Sequence, residues 1–201
     1  MLNYFTSNFY ADSAIMYDIL SDLYLTTGNE RQGTKFFSRE KNCKKPQSTK
    51  FGWTFRKNMG KGEREYDEEK KLYKTKLMME NPELAEVFKE YSRIYFDLDF
   101  SWTEVTINYQ PTGVRIKQHL DRVNFGDSKL VAFGDYTGGK TYVESPKDRK
   151  FNICDARDQI LTFNGSELKH GVTCVTSGER YSLVFYNNKR KSVNKTLIKK
   201  N

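Results

Sequence analysis

Hydrophobic positions along this chain follow two different periods, and the change comes near residue 100. In the first part the spacing is helical. Ile15, Met16, Ile19 and Leu23 recur at helix-like intervals behind Asp12 and Ser13, which can cap, and Gly28 can end the helix. Asn81-Pro82 supplies a second cap and a first-turn proline, after which Leu84, Val87, Phe88, Tyr91 and Tyr95 form one stripe. Between these, residues 30–62 read as irregular, basic and glycine-containing, and the charged stretch from Glu63 to Met79 reads as helical. From Ser101 the period drops to two. "TEVTINY" and "VRIKQH" flank Pro111-Thr112-Gly113, while "KLVAFGDY" and "KTYVE" flank Thr137-Gly138-Gly139, a hairpin signature. "DQILTF" ends at Asn164-Gly165, and "GVTCV" and "RYSLVFY" follow across Ser177-Gly178. Strands this short and closely spaced predict an antiparallel sandwich or roll, with the N-terminal helices packed on it, an α+β protein.

No internal repeat or linker divides the chain, so one domain over 1–201 is expected: a mainly helical, basic support region at 1–100, a strand-built core at 101–188 and a basic tail at 189–201. The mean hydropathy is low at -0.79, yet aromatic residues make up 14% of the chain, enough for a sizeable core. No apolar run of about 18 residues occurs, so no membrane span is expected. "MLNYFTSNFYADSAIMYDIL" contains acids and lacks a basic lead-in, unlike a signal peptide. Cys43, Cys154 and Cys174 are odd in number and scattered, which argues for a reducing, intracellular compartment (cytoplasm or nucleus) and against a disulfide framework or structural zinc.

The net charge is +8, and "KRKSVNKTLIKKN" at the end holds six Lys/Arg and no acid. A second basic region, "SREKNCKKPQSTKFGWTFRKNMGKGER", interleaves cations with Phe51, Trp53 and Phe55. Both fit either a solvated surface or the footprint of a polyanion such as DNA or RNA, and composition alone does not separate the two.

The candidate chemistry starts in "RIKQHLDRVNFG", which holds one of only two histidines. At strand spacing His119 and Asp121 point to the same side and can converge on one ion. The other histidine, His170, precedes "GVTCV", where it can project from a sheet edge. Two histidines and a carboxylate are the ligand set of non-haem Fe(II) oxygenases, although a lone His-x-Asp is also an ordinary surface pair. Ten residues after His170 comes Arg180, in a strand otherwise rich in Tyr, Leu, Val and Phe, with Ser182 on its face. A buried guanidinium needs an anion. That anion is either a bidentate carboxylate ligand or a protein acid such as Glu104 or Asp158.

His-x-Asp, a His some fifty residues on and an Arg about ten further resemble the 2-oxoglutarate/Fe(II) dioxygenases of the double-stranded β-helix fold, over roughly residues 101–188. Within them, "HLDRVN", "LVAFGDYTGG" and "RYSLVFY" are similar to the TET/JBP group, which oxidises the methyl group of 5-methylcytosine or thymine in DNA. The resemblance implies a jelly-roll, cupin-like core. It implies His119, Asp121 and His170 as iron ligands and Arg180 with Ser182 on the distal carboxylate of 2-oxoglutarate. Asn108 and Arg115 would reach the co-substrate's other end. Asn124 matches a base-contacting position, though an Asx-turn role would also suit it. Asn188 stands where the group often has a base-contacting histidine, a departure that leaves the base open. The implied cofactors are Fe(II), 2-oxoglutarate and dioxygen, with ascorbate as reductant. The implied partner is DNA, its target base extruded from the stack; the candidates to offset that cost are the Phe51, Trp53 and Phe55 stretch with Lys50, Arg56 and Lys57, and the C-terminal tail. Two other readings stay open: a prolyl- or lysyl-type protein hydroxylase using the same residues, acting on peptide, and a non-enzymatic DNA-binding module.

Overall fold

In the computed structural model, which describes residues 4–26, 47–54, 65–69, 72–157 and 159–188, the alternating segments after Ser101 become two antiparallel sheets. The N-terminal part contributes helix α1 (Phe9–Thr26), strands β1 (Gln47–Thr54), β2 (Tyr66–Asp67) and β3 (Leu72–Lys74), and helices α2 (Lys76–Glu80) and α3 (Leu84–Tyr95). Then follow β4 (Glu104–Pro111), β5 (Ile116–His119), β6 (Asn124–Phe133), β7 (Tyr136–Gly138), β8 (Thr141–Glu144), β9 (Phe151–Cys154), β10 (Leu161–Phe163), β11 (His170–Val172) and β12 (Val175–Asn188). The major sheet runs β10-β6-β12-β4-β1-β3-β2, with β7 also on β12; the minor sheet runs β5-β11-β8-β9.

The period-two pattern divides the major sheet chemically. Val105 and Ile107 of β4, Val131 and Phe133 of β6, and Leu183 and Phe185 of β12 are buried in one cluster with Met16 and Leu20 of α1 and Val87, Phe88 and Tyr91 of α3. Phe88 sets its ring edge-on against both Phe51 (5.1 Å between centroids) and Phe185 (5.9 Å). Each such pair adds about 0.5–1.5 kcal/mol beyond the area buried. The opposite face, turned to the minor sheet, has a small apolar patch of Leu130, Ala132, Phe163 and Val175. The rest of that face is polar. On β4, Glu104, Asn108 and Gln110 alternate with the apolar set, and on β12 Arg180, Ser182 and Asn188 do so, all buried.

Several local expectations give way to long-range pairing. Residues 47–54 are not irregular: β1 pairs with β4 from Gln47↔Tyr109 to Gly52↔Glu104, because Phe51 has a core site to fill. The stretch after Glu63 is not one helix. Its β2 and β3 pair with each other, β3 continues the sheet beyond β1 at Trp53↔Lys74, and among its described residues helix is confined to α2. Helix propensity there is outweighed by the cross-strand contacts of Tyr66 and Tyr73, 4.7 Å apart. Thr137-Gly138-Gly139 does not close a hairpin. Instead β7 pairs with β12 and β8 with β11 and β9, so the chain crosses between sheets at that point. Ser177-Gly178 is no turn either, since β12 runs through it; Gly178 sits at φ +74, and a Cβ there would lie 1.9 Å from the Asp135 carbonyl oxygen.

At the start of α1 the capping side chain is Asn8, which accepts from the Tyr10 and Ala11 amides, rather than Asp12 or Ser13. The Asp12 carboxylate reaches back to the Thr6 and Ser7 amides and accepts the Tyr95 hydroxyl, tying α1 to α3. Gly28, Cys43, Phe55, Arg56, Lys57, Asp158 and the basic tail lie outside the described residues. Cys154 and Cys174 are free thiols. No helix among the described residues is long and apolar enough to cross a membrane.

Candidate metal centre

His119 closes β5 and His170 opens β11, and the two are direct cross-strand partners with ring centroids 4.4 Å apart. His170 therefore lies inside the minor sheet, between β5 and β8, and not at a sheet edge as its sequence position suggested. Asp121 is past the end of β5, so strand alternation does not aim it. A turn does: its amide donates to Gly165 O (2.8 Å) and its carbonyl accepts from the Asn124 amide (2.9 Å). The result is the same convergence by another route. His119 Nε2 is 3.7 Å from Asp121 Oδ1, and His170 Nε2 is 3.3 Å from Asp121 Oδ2. One ligand atom from each of the three residues fits within 4.8 Å of the others.

The tautomers follow from the partners. His119 Nδ1 lies 2.8 Å from Lys117 O and His170 Nδ1 3.0 Å from Leu168 O, and a carbonyl only accepts, so in each neutral ring Nδ1 carries the proton. Each Nε2 then turns a lone pair toward the same carboxylate. Three acceptors facing one another, with no donor among them, are the donor set of a divalent cation, and backbone carbonyls behind the imidazoles are the support such ligands usually have. Burial, then the charge of His170, lower the His119 pKa against the pull of Asp121, which favours the metal-ready neutral ring. Burial alone would raise the Asp121 carboxyl, but His170, His119 and Lys50 outweigh it and hold it below the ordinary range.

Asn124, buried, donates its amide to Asp121 Oδ2 (3.4 Å) and Ser128 Oγ (3.3 Å). The structure thus places it behind the acid ligand. Arg115 is exposed, and its charge bears on the Tyr142 hydroxyl.

Further along the polar face, Arg180 is fully buried. Its Nη1 donates to Gln110 Oε1 (2.6 Å) and Ser182 Oγ (3.1 Å), and its Nη2 to Thr141 Oγ1 (3.3 Å). Asn108 donates to the same Ser182 hydroxyl at 3.3 Å. Arg180 Nε and Gln110 Nε2 are both buried with no hydrogen-bond partner among the described residues. Of the two proposed internal anions, Asp158 lies outside the described residues and Glu104 does not serve it. Glu104 pairs with Lys50, and among the described residues no carboxylate stands within ion-pair distance of the guanidinium. A buried cation with two idle N–H donors beside it is a seat for an external carboxylate. The donor set therefore fits Fe(II), and this seat fits a dicarboxylate co-substrate.

A second polar cluster lies on the same face of the major sheet as Ser182 and Arg180. Lys50 Nζ donates to Glu104 and to Tyr186 Oη (2.7 Å), Tyr186 Oη donates to Glu104, and Asn188 Nδ2 donates to Glu104 Oε2 (3.2 Å). Asn188 also reaches Trp53 O (3.1 Å) and is the cross-strand partner of Asn124, the residue holding Asp121. Gln110, Thr141, Glu104 and Tyr186 were not singled out as site residues from the sequence. The alternation of Glu104, Thr106, Asn108 and Gln110 with Val105, Ile107 and Tyr109 was the signal, since polar residues at every second position of a buried strand must face something polar.

No family model matches the chain. Among curated proteins it is similar to Tet-like dioxygenase 1 of Naegleria gruberi, 33% identical over 73 residues, which is 36% of this chain and only 22% of that protein's length. Among solved structures it superposes on a Pseudomonas putida prolyl-4-hydroxylase with a TM-score of 0.53 at 11% identity, covering 94% of this chain and 91% of that one. A Trichoplax adhaerens prolyl hydroxylase, in complex with a hypoxia inducible factor oxygen degradation domain peptide fragment, gives 0.52 at 15% identity, covering 92% and 81%. Structural likeness at such low identity concerns the fold alone. The fold is the double-stranded β-helix of the 2-oxoglutarate/Fe(II) oxygenases, and the resemblance to TET/JBP-like dioxygenases is borne out by a stretch of sequence similar to a Tet-like member.

Proposed function

We propose that this protein is a 2-oxoglutarate- and Fe(II)-dependent dioxygenase that hydroxylates the methyl group of a pyrimidine, 5-methylcytosine or thymine, in DNA. The observation that carries the enzyme reading is the pairing of three converged acceptors with a buried guanidinium that has no ion-paired carboxylate among the described residues. His119, Asp121 and His170 hold the metal, while Arg180 and Ser182, with Asn108 behind the serine, take the distal carboxylate. Bound together with dioxygen, the iron and 2-oxoglutarate convert a methyl C–H to C–OH while 2-oxoglutarate becomes succinate and carbon dioxide. The chain's part is geometric. Backbone carbonyls orient both imidazoles, Asn124 fixes the carboxylate, and the hydrophobic patch of Leu130 and Phe163 limits water on the inner face.

The DNA assignment rests on the similarity to a Tet-like dioxygenase and on the net charge of +8. A cationic surface would make binding fall steeply with salt, and extruding the base costs a few kcal/mol that phosphate contacts must offset. The catalytic unit is taken as the two sheets, with the N-terminal helices as its outer wall. Free thiols and ferrous iron suit a reducing compartment. A peptide hydroxylase is the second reading, favoured by the two prolyl hydroxylases that share the fold.

The test is succinate release with Fe(II), 2-oxoglutarate and ascorbate, comparing DNA containing thymine or 5-methylcytosine with RNA and proline- or lysine-containing peptides, followed by nucleoside mass spectrometry. The expected product is a pyrimidine carrying one added oxygen on its methyl, absent with His119→Ala or Asp121→Ala. Full activity in both variants would refute the metal assignment, and oxidation of peptide alone would replace the substrate.

A further inference from the structure

The Lys50 cluster is not needed to hold the metal or the co-substrate, yet one strand pair, Asn188↔Asn124, joins it to the acid of the candidate metal centre. By strand register Lys50, Glu104 and Tyr186 lie on the same face of the major sheet as Ser182 and Arg180, and Asn188, which donates to Glu104, is the cross-strand partner of Asn124, which donates to Asp121. The cluster also has a direction. Glu104 is closed off, its carboxylate receiving Lys50, Tyr186 and Asn188, and its side chain is 1% exposed against 20% for Lys50. Of the three ammonium protons, two are committed, to Glu104 and Tyr186. The third is free of any partner among the described residues. What Lys50 and Glu104 leave available on this face of the sheet is therefore a single N–H donor, and no acceptor.

We propose that Lys50, held by Glu104 and Tyr186, reads the substrate group next to the oxidised methyl and selects a carbonyl there, which makes the preferred base thymine over 5-methylcytosine. This rests on the nucleobase reading given above. The methyl to be oxidised sits on C5, and the polar group nearest to it is the substituent on C4. In thymine that group is O4, an acceptor; in 5-methylcytosine it is an amino group, a donor. A residue beside Asp121 meets the part of the base beside the methyl. An ammonium donor completes a hydrogen bond to O4 but confronts an amino group with like polarity, and a site built for one polar pattern rejects its opposite strongly because buried groups are left unpaired. Glu104 and Tyr186 keep the ammonium from swinging away, so the discrimination is preset rather than adaptive.

The experiment compares single-stranded oligonucleotides that differ only in carrying thymine or 5-methylcytosine at one position, with Fe(II), 2-oxoglutarate and ascorbate, read by nucleoside mass spectrometry. The wild type is expected to oxidise thymine at least about tenfold faster, the scale of one well-placed base contact. Lys50→Gln, whose amide offers both a donor and an acceptor, is expected to bring the ratio to within about threefold of unity. Lys50→Arg keeps the donor and should keep the preference. In each variant the absorption band of the anaerobic Fe(II)/2-oxoglutarate complex should match the wild type, separating a change in selection from damage to the metal centre. If Lys50→Gln unfolds because Glu104 is left charged and alone, Lys50→Gln/Glu104→Gln removes both charges and repeats the test. A wild type that prefers 5-methylcytosine or treats both bases alike overturns the proposal, as does a Lys50→Gln ratio equal to the wild type. A wild type that oxidises neither base, while oxidising a peptide, overturns the nucleobase reading itself.

Discussion

Replacing Arg180 with methionine separates a ligand seat from a structural cation. In the protein without co-substrate, the guanidinium makes three hydrogen bonds, to Gln110, Ser182 and Thr141, and none to a carboxylate among the described residues. Hydrogen bonds to a charged group return about 1.5–3 kcal/mol each, against an effective desolvation cost of several kcal/mol for a buried ion. Methionine fills much of the volume, removes the desolvation term and leaves the Gln110 and Thr141 side chains short of a partner, at about 1–3 kcal/mol each. The recovered desolvation opposes the lost hydrogen bonds, so stability without ligand should fall by a few kcal/mol at most. With 2-oxoglutarate the balance is one-sided. Removing one partner of a buried ion pair costs about 3–5 kcal/mol, and at 1.4 kcal/mol per tenfold the dissociation constant should rise at least about 100-fold. The assay is calorimetric titration of 2-oxoglutarate into Mn(II)-loaded protein, with thermal unfolding alongside. At a ligand concentration of about 100 times the wild-type dissociation constant, the wild type gains roughly 2.7 kcal/mol and the variant about 0.4 kcal/mol. For a protein of this size that is a shift of about 5–10 °C against about 1 °C. A variant that binds 2-oxoglutarate within about threefold of the wild type would show that the carboxylate sits elsewhere and that the buried cation is purely architectural.

Three further outcomes follow from the same structure. Asn124→Ala should weaken metal binding about 10- to 100-fold, measured by Co(II) titration, while leaving the melting temperature of the metal-free protein nearly unchanged. Gly171→Ala should destabilise the protein by about 1–3 kcal/mol in urea unfolding and displace His170, since the new Cβ would lie 2.3 Å from Tyr142 Oη and 2.6 Å from Ile116 O. Asp12→Asn should lose about 2 kcal/mol at neutral pH, where the carboxylate receives the Thr6 and Ser7 amides and the Tyr95 hydroxyl. Its folded-state pKa is lowered from 3.8 despite burial, so that stability is present above 3.8 and disappears as pH falls through the depressed value. Equal stability of wild type and Asp12→Asn at pH 7 would remove Asp12 as the clasp between α1 and α3.

The sequence by itself determined what depends on local spacing. The stripe from Leu84 to Tyr91 forms α3 because residues three and four apart share a helical face, and the alternation in "TEVTINY" and "RYSLVFY" produces strands with one apolar and one polar side. The converging His119, Asp121 and His170 were legible because two histidines leave few combinations, and Arg180 because a cation in an apolar strand needs an anion. Tertiary structure decided everything that depends on which strands pair. Helix propensity could not reveal that Gln47–Thr54 joins β4, nor turn chemistry that Gly178 lies inside a strand, because the competing contacts, Phe88 and the Asp135 carbonyl, are supplied from far along the chain. The same holds for the site: His119 and His170 meet through strand register, Asp121 through a turn anchored on Gly165, and Lys50 reaches Glu104 across 54 residues of sequence. Register is set by the burial of whole faces at once, a sum that no local window of residues contains.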